Sequence, residues 1–305
     1  MKLHGATIDD TFSEAFRIFA ARLIVTADDP HWARIAADSA CGYATSIIGC
    51  DAEAGRERDL APDETPDGRP GTSLLFFARS ANRLVAAVQN RTGQCLMTCP
   101  TTAVFDGLPD AGERFDLGRW VAWFGDGHQR TAHHAGRPGR VIPVMEGEFF
   151  CERQGGLVEA VAGGTLLVGG PDRKTALAAA RRAADAIAEQ PGVITPFPGG
   201  ICRCGSKVGS KYARLIASTN HEYCPSLRGS GACRLPEGVE SVYEIVIDGL
   251  SESAVAEAMR IALESAAAAG ASWIGSGNFG GRLGSIHLPL RELVPAEASL
   301  GDQSR

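Results

Sequence analysis

Glu244 is the residue whose position is hardest to explain as packing. It sits in residues 241–247 (SVYEIVI), where Val242, Glu244 and Val246 share one pleat face and Tyr243, Ile245 and Ile247 the other. A carboxylate thus occupies the middle of a mostly apolar strand. Burial without a compensating charge raises a carboxyl pKa toward the range in which it can give and take a proton near neutrality. A structural ion pair to an arginine is the competing explanation, and the sequence leaves both open. A second candidate lies upstream. From Gln190 to His221 there is no Asp or Glu, while Arg203, Lys207, Lys211 and Arg214 carry positive charge. Such a stretch is either a solvated loop or a docking place for an anionic ligand tail.

Other patterns fail on context. Residues 275–280 (GSGNFG) spell a dinucleotide fingerprint, but a fingerprint opens a helix, whereas residues 281–284 lead into the strand-like segment 285–290. Residues 200–207 (GICRCGSK) lack the adjacent Gly-Lys-Ser/Thr order of a phosphate loop. Cys202-x-Cys204, Cys95-x3-Cys99 and the pair His133-His134 do not repeat at a spacing that gathers four ligands around one ion. No metal and no tightly bound cofactor is therefore expected.

The elements that must position these residues follow a weak internal repeat. An apolar run at 21–27 precedes a helix started by Asp28-Asp29-Pro30 and stopped at Gly42; residues 45–50 and 72–78 read as strands, and a helix from Ser80 to about Arg91 ends at Gly93. The second half repeats the order. It has a strand at 165–168, a helix at 171–190 with Leu177, Ala180, Ala184 and Ile187 toward the core, and a strand at 193–195. The 241–247 strand, a helix at 251–269 capped by Ser251 and a strand at 271–274 complete it. The expected class is α+β: two similar ferredoxin-like α/β sandwich lobes with mainly antiparallel sheets, residues 1–150 and 151–305. Residues 107–147 show no helical period and are expected as loops and hairpins.

Composition bounds the partners. The 305 residues carry a net charge of −6, with 44% hydrophobic and 22% charged side chains, enough to bury a large core. The acid excess argues against nucleic acid, and no apolar run is long enough for a membrane span, so a cytoplasmic protein is expected. Nine cysteines, an odd number scattered along the chain, fit free thiols better than a disulfide framework. The only lysines are Lys2, Lys174, Lys207 and Lys211 against an abundance of arginine, a bias typical of GC-rich coding.

Read in order, many runs resemble the formylmethanofuran:tetrahydromethanopterin formyltransferase family. They are residues 10–16 (DTFSEAF), 45–55 (TSIIGCDAEAG), 64–71 (ETPDGRPG), 93–101 (GQCLMTCPT), 124–127 (FGDG), 142–149 (IPVMEGEF), 197–201 (FPGGI), 206–211 (SKVGSK), 217–225 (ASTNHEYCP), 235–250 (LPEGVESVYEIVIDGL) and 276–283 (SGNFGGRL). Arg203-Cys204 and the tail after Leu290 depart from the pattern. The resemblance implies formyl transfer between tetrahydromethanopterin and a methanofuran-type carrier, both substrates, with no prosthetic group and with homotetrameric assembly. Among bacteria it implies formaldehyde oxidation to formate through a formyltransferase/hydrolase complex, and the arginine-rich composition favours that setting. A non-catalytic carrier-binding scaffold subunit of such a complex is the alternative. The VYEI run implies Glu244 as the catalytic carboxyl. Thr101, Ser206 and Asn278 lie in matching runs and are candidate donors to substrate, with Lys207 and Lys211 facing an acidic carrier tail.

Exposed cations act over a Debye length of about 8–10 Å, so their effect depends on salt. Reversing Lys207 and Lys211 to Glu is expected to raise KM for the furan carrier more than for the pterin at low ionic strength. Steady-state kinetics at two salt concentrations check it, because the difference should fade as salt rises.

Overall fold

The computed structural model describes residues 1–294, so 295–305 of the tail after Leu290 lie outside the described residues. The chain divides into two compact units, Ile18–Ala160 and Met1–Arg17 together with the described residues from Val161 on. The first residues join the second unit because Ala6–Ile8 pairs with Trp273–Gly275, and the start of Phe12–Thr26 pairs with Ile286–Pro289. The class is mixed α/β, with mainly antiparallel strands and few helices.

In the first unit the order is β1 (Phe12–Thr26), α1 (Pro30–Cys41), β2 (Glu53–Leu60), β3 (Gly71–Ala78), α2 (Ala81–Arg91) and β4 (Ala103–Asp106). The strands align antiparallel as β2-β3-β1-β4. Asp29 accepts the His31 and Trp32 N–H groups ahead of Pro30, and Ser80 accepts that of Arg83, so each helix start is capped by a side chain. Residues 45–50 are a turn and not the expected strand. The N–H groups of Gly49 and Cys50 both return to the Ser46 carbonyl, and the Glu53 carboxylate accepts the Ile47 N–H at 2.9 Å. Helix α2 does not stop at Gly93; a single wide turn, Thr92–Leu96, continues it, with the Thr92 hydroxyl donating to the Val88 carbonyl. Between residues 107 and 147 the expected hairpin forms from Arg130–His134 and Arg137–Val144, and a short helix, Arg119–Trp123, appears that the sequence pattern did not announce.

The second unit repeats the order: β5 (Gln154–Gly170), α3 (Arg173–Ala188), β6 (Val193–Ile194), β7 (Ser241–Gly249), α4 (Glu252–Ala268) and β8 (Trp273–Gly275). Its strands align antiparallel as β6-β7-β5-β8. Leu166 and Val168 of β5 and Ile245 and Ile247 of β7 pack with Met259 and Leu263 of α4 in one core. The buried stripe of α3 is Ala176, Ala179, Ala180, Ala183, Ala184 and Ile187. Leu177, expected to face the core, is 43% exposed, because the close approach of α3 and α4 is made by alanines. Equally close packing holds α4 on β5: a Cβ at Gly164 would lie 2.5 Å from Val255 Cγ1.

The glycine-rich segment after β8 has no helix, so its backbone donors need another partner. Glu14, buried at 4% exposure, supplies it. Its carboxylate accepts N–H bonds from Phe279 at 2.7 Å, Gly281 at 3.1 Å and Gly284 at 2.7 Å, and from Leu283. Burial alone would raise its pKa, but these four donors together hold it below the ordinary value. A depressed folded pKa adds stability that is present above the unfolded value and lost as pH falls through the folded one. Glu14→Gln, which turns an NH2 group toward N–H donors, should therefore cost about 2 kcal/mol at neutral pH. Urea denaturation at pH 7 and pH 3 checks this, with the deficit narrowing at the acid pH.

Candidate functional site

Strand β7 carries Glu244 opposite Leu167 of β5, inside the sheet of the second unit. On its other side no regular strand reaches this far, and the chain after β6 closes the gap with an isolated bridge. The Cys202 N–H donates to the Glu244 carbonyl at 2.7 Å, and the Glu244 N–H donates to the Cys202 carbonyl at 3.1 Å. The backbone at Glu244 is thus fixed from both sides.

That side chain is 4% exposed. The Asn220 amide donates to Oε1 at 3.3 Å, while Oε2 is buried and closes no hydrogen bond. Burial is the dominant influence and raises the pKa from the ordinary 4.5 to about 7; Ser206, the Cys202 thiol and Asn220 face the carboxyl and oppose the shift without cancelling it. No arginine or lysine pairs with it, so the ion-pair explanation drops out among the described residues. A carboxyl balanced between its two protonation states near neutrality can donate or accept a proton with a small penalty either way.

The remaining expected residues distribute unevenly. Ser206 is brought to Glu244. Lys207 and Val208 pair antiparallel with Ser218 and Ala217, and the Lys207 ammonium lies 3.1 Å from Nδ1 of His221, within hydrogen-bond distance. Lys207 is therefore half-buried and engaged. Lys211 is exposed at the hairpin end, its ammonium 5.1 Å from the Tyr212 ring centroid, beside exposed Leu215 and Ile216. Arg203 and Arg214 are exposed as well. The Asn278 amide donates to Thr11 Oγ1 at 2.9 Å and to the Phe12 carbonyl at 3.2 Å, and its Oδ1 accepts the Gly280 N–H. Both ends of that amide hold the glycine-rich segment in place. Thr101 belongs to the first unit, with a positive φ of 62°, its N–H donating to Glu146 and its carbonyl accepting from Arg69. It lines a 430 Å³ cavity together with Asp28, Arg69, His133 and His134.

Asn220 and Cys202 are the neighbours of Glu244 that sequence reasoning missed. Asn220 lies in the quoted run 217–225, so a polar amide was in view but not its target. Among the described residues no group of three or more His, Cys, Asp or Glu side chains could hold a metal ion, and no helix is long and apolar enough to cross a membrane.

Comparison with known proteins places this geometry in context. The family model described as formylmethanofuran-tetrahydromethanopterin formyltransferase matches residues 1–144, and the model for the proximal lobe of the same family matches residues 147–293. The formylmethanofuran–tetrahydromethanopterin formyltransferase of Methylobacillus flagellatus is 46% identical over 301 residues, covering 96% of this chain and 100% of that one. The solved structure of the Methanosarcina barkeri enzyme superposes with a TM-score of 0.91 at 44% identity, covering 96% of this chain and 100% of that one. A chain of the formyltransferase/hydrolase complex of Methylorubrum extorquens, solved with methylofuran, gives 0.92 at 45% identity, covering 97% and 99%.

Burial of Glu244 has a cost that pH reveals. A folded pKa raised to about 7 contributes stability that is complete below the unfolded value and is lost as pH rises through 7. Glu244→Gln should therefore be more stable than the parent chain at pH 9, by roughly 3 kcal/mol at most, and indistinguishable from it near pH 4. Denaturant titration at the two pH values reads the difference.

Proposed function

The chain belongs to the formylmethanofuran–tetrahydromethanopterin formyltransferase family, and from that premise we propose that it moves a formyl group between tetrahydromethanopterin and a methanofuran-type carrier, with Glu244 as the proton shuttle. The single observation that carries the residue assignment is the buried carboxyl with one oxygen held by Asn220 and the other without a partner. Transfer begins when a carrier nitrogen attacks the formyl carbon, losing its proton as the bond forms. The carbonyl electrons move onto oxygen, and the tetrahedral species collapses only when the departing nitrogen is protonated. One group near pKa 7 serves both ends: the ionised Glu244 takes the proton from the attacking nitrogen and returns it to the leaving one. The reaction is then symmetric in its demands, which suits a transfer that can run either way.

The oxyanion needs donors that do not titrate. Ser206, beside the carboxyl, is the hydroxyl best placed for that duty, with Thr101 and Asn278 of lower rank because their polar atoms hold backbone in place. Lys207 and Lys211 serve to gather an acidic carrier tail, Lys211 directly and Lys207 by bracing the hairpin through His221. Orientation of two large carriers supplies much of the rate, up to ~7–11 kcal/mol at the limit.

The same reading extends to architecture and setting. Each unit is a ferredoxin-like lobe, supported by the repeated β-α-β-β-α-β order and the matching strand alignments. The protein works in the cytoplasm as a homotetramer or with a formyl-hydrolase partner, as the Methylorubrum complex suggests, in one-carbon metabolism of methylotrophic type. Glu244→Gln should cut formyl-transfer turnover by ~10²-fold or more with KM for both carriers little changed. Steady-state assay of the purified chain with both carriers, in either direction, decides it; near-normal turnover would remove Glu244 from the mechanism.

A further inference from the structure

The sequence pair Cys202-x-Cys204 has no part in the proposed transfer, yet the fold sets it beside the acting carboxyl. Cys204 is the one exposed cysteine of the nine; the others are buried or half-buried. Its Sγ lies 3.7 Å from that of Cys202, ordinary contact for two thiols. Cys202 is 2% exposed, is bridged to Glu244 through both backbone hydrogen bonds, and turns its thiol toward the Glu244 carboxyl. The next residue after Cys204 is Gly205 with φ +76°, whose backbone packs directly on Asn220. One short turn therefore joins both cysteines to Glu244 and to Asn220.

We propose that Cys202 and Cys204 form a modification site that takes a hydroperoxide and closes to a disulfide beside Glu244, stopping transfer until a thiol reductant reopens it. The chemistry balances with the oxidant alone. The Cys204 sulfur attacks the terminal peroxide oxygen, the O–O bond breaks, and Cys204 becomes a sulfenic acid as water or an alcohol departs. Cys202 then attacks the Cys204 sulfur, the S–O bond breaks, and the hydroxide leaves as water with the Cys202 proton. The disulfide sulfurs have been oxidised by two electrons and the peroxide reduced by two. Closure draws the sulfurs from 3.7 Å to about 2.05 Å, which turns Cys202 away from Glu244 and removes an S–H group that faces it.

Four other thiols are held out of competition by burial. Burial pushes Cys41 up to about 12 and Cys151 further still, and it raises Cys95 and Cys99 as well, so all four stay protonated and unreactive. Burial and the neighbouring Glu244 charge likewise keep Cys202 protonated at rest, so it does not meet the peroxide first; it attacks the Cys204 sulfur, 3.7 Å away, as the facing Glu244 carboxylate takes its proton, which then leaves with the hydroxide as water. Cys224 is half-buried, its sulfur against Thr219 Oγ1 and the Asn220 carbonyl.

The covalent step stands on geometry alone; its effect on transfer rests on the reading of Glu244. Full-length protein treated with hydrogen peroxide, alkylated and digested should yield a peptide spanning Cys202 and Cys204 that has lost two hydrogens. Turnover should fall by ~10²-fold, as for loss of the proton shuttle, and return with dithiothreitol. Cys204→Ser should keep basal turnover and resist peroxide. No such peptide, or equal peroxide sensitivity in Cys204→Ser, overturns the site. A disulfide that forms with turnover unchanged overturns its effect on transfer, and parallel assay of Glu244→Gln shows whether the Glu244 reading fails with it.

Discussion

Removal of the Glu244 carboxyl from water is the constraint on which the site depends. A carboxylate in water is almost wholly ionised at neutral pH and therefore a poor acid. The apolar strand around Glu244 makes the charged form costly, while Ser206, the Cys202 thiol and the Asn220 amide that donates to Oε1 keep it attainable. Neither influence alone yields a group near pKa 7. Full burial with no donor would leave the carboxyl neutral, and a paired arginine would leave it ionised.

Holding that balance requires a backbone that cannot shift, and the second unit supplies it from two directions. The β5–β7 ladder fixes one edge of Glu244, and the isolated bridge to Cys202 fixes the other. Segments without regular structure are held by side chains: Glu14 gathers the donors of residues 279–284, and Asn278 ties the same segment to Thr11 and Phe12. Tyr223 reaches the Ser276 carbonyl at 3.5 Å, so the segment carrying Asn220 and the glycine-rich segment share a contact. Ionised or polar groups replace helix and sheet pairing where the chain must run irregularly past the site.

The regular half of this arrangement was legible in the sequence. The 241–247 alternation placed a strand and showed Glu244 as its anomaly, Ser251 announced α4, and the failed context of residues 275–280 gave a segment without a helix. The errors share a cause. Residues 45–50 have strand-like composition but turn because Glu53 and Ser46 capture their N–H groups, and Leu177 has core-like chemistry but is displaced by alanines that let two helices approach. Side-chain capture and close packing are tertiary facts with no local period. The same holds for Asn220 and Cys202, which reach Glu244 through an irregular chain, and for the bonds of the Asn278 amide to the Thr11 hydroxyl and the Phe12 carbonyl.

The central claim is that Glu244 itself titrates near neutrality in the folded protein. Infrared difference spectra of the parent chain minus Glu244→Gln, collected from pH 4 to pH 9, follow its carboxyl stretch directly and without any substrate. The account predicts a protonated band that disappears with a midpoint near pH 7. A midpoint near the ordinary 4.5 would show that the carboxyl is solvated or paired, and would contradict both its burial and the proton-shuttle role proposed for it.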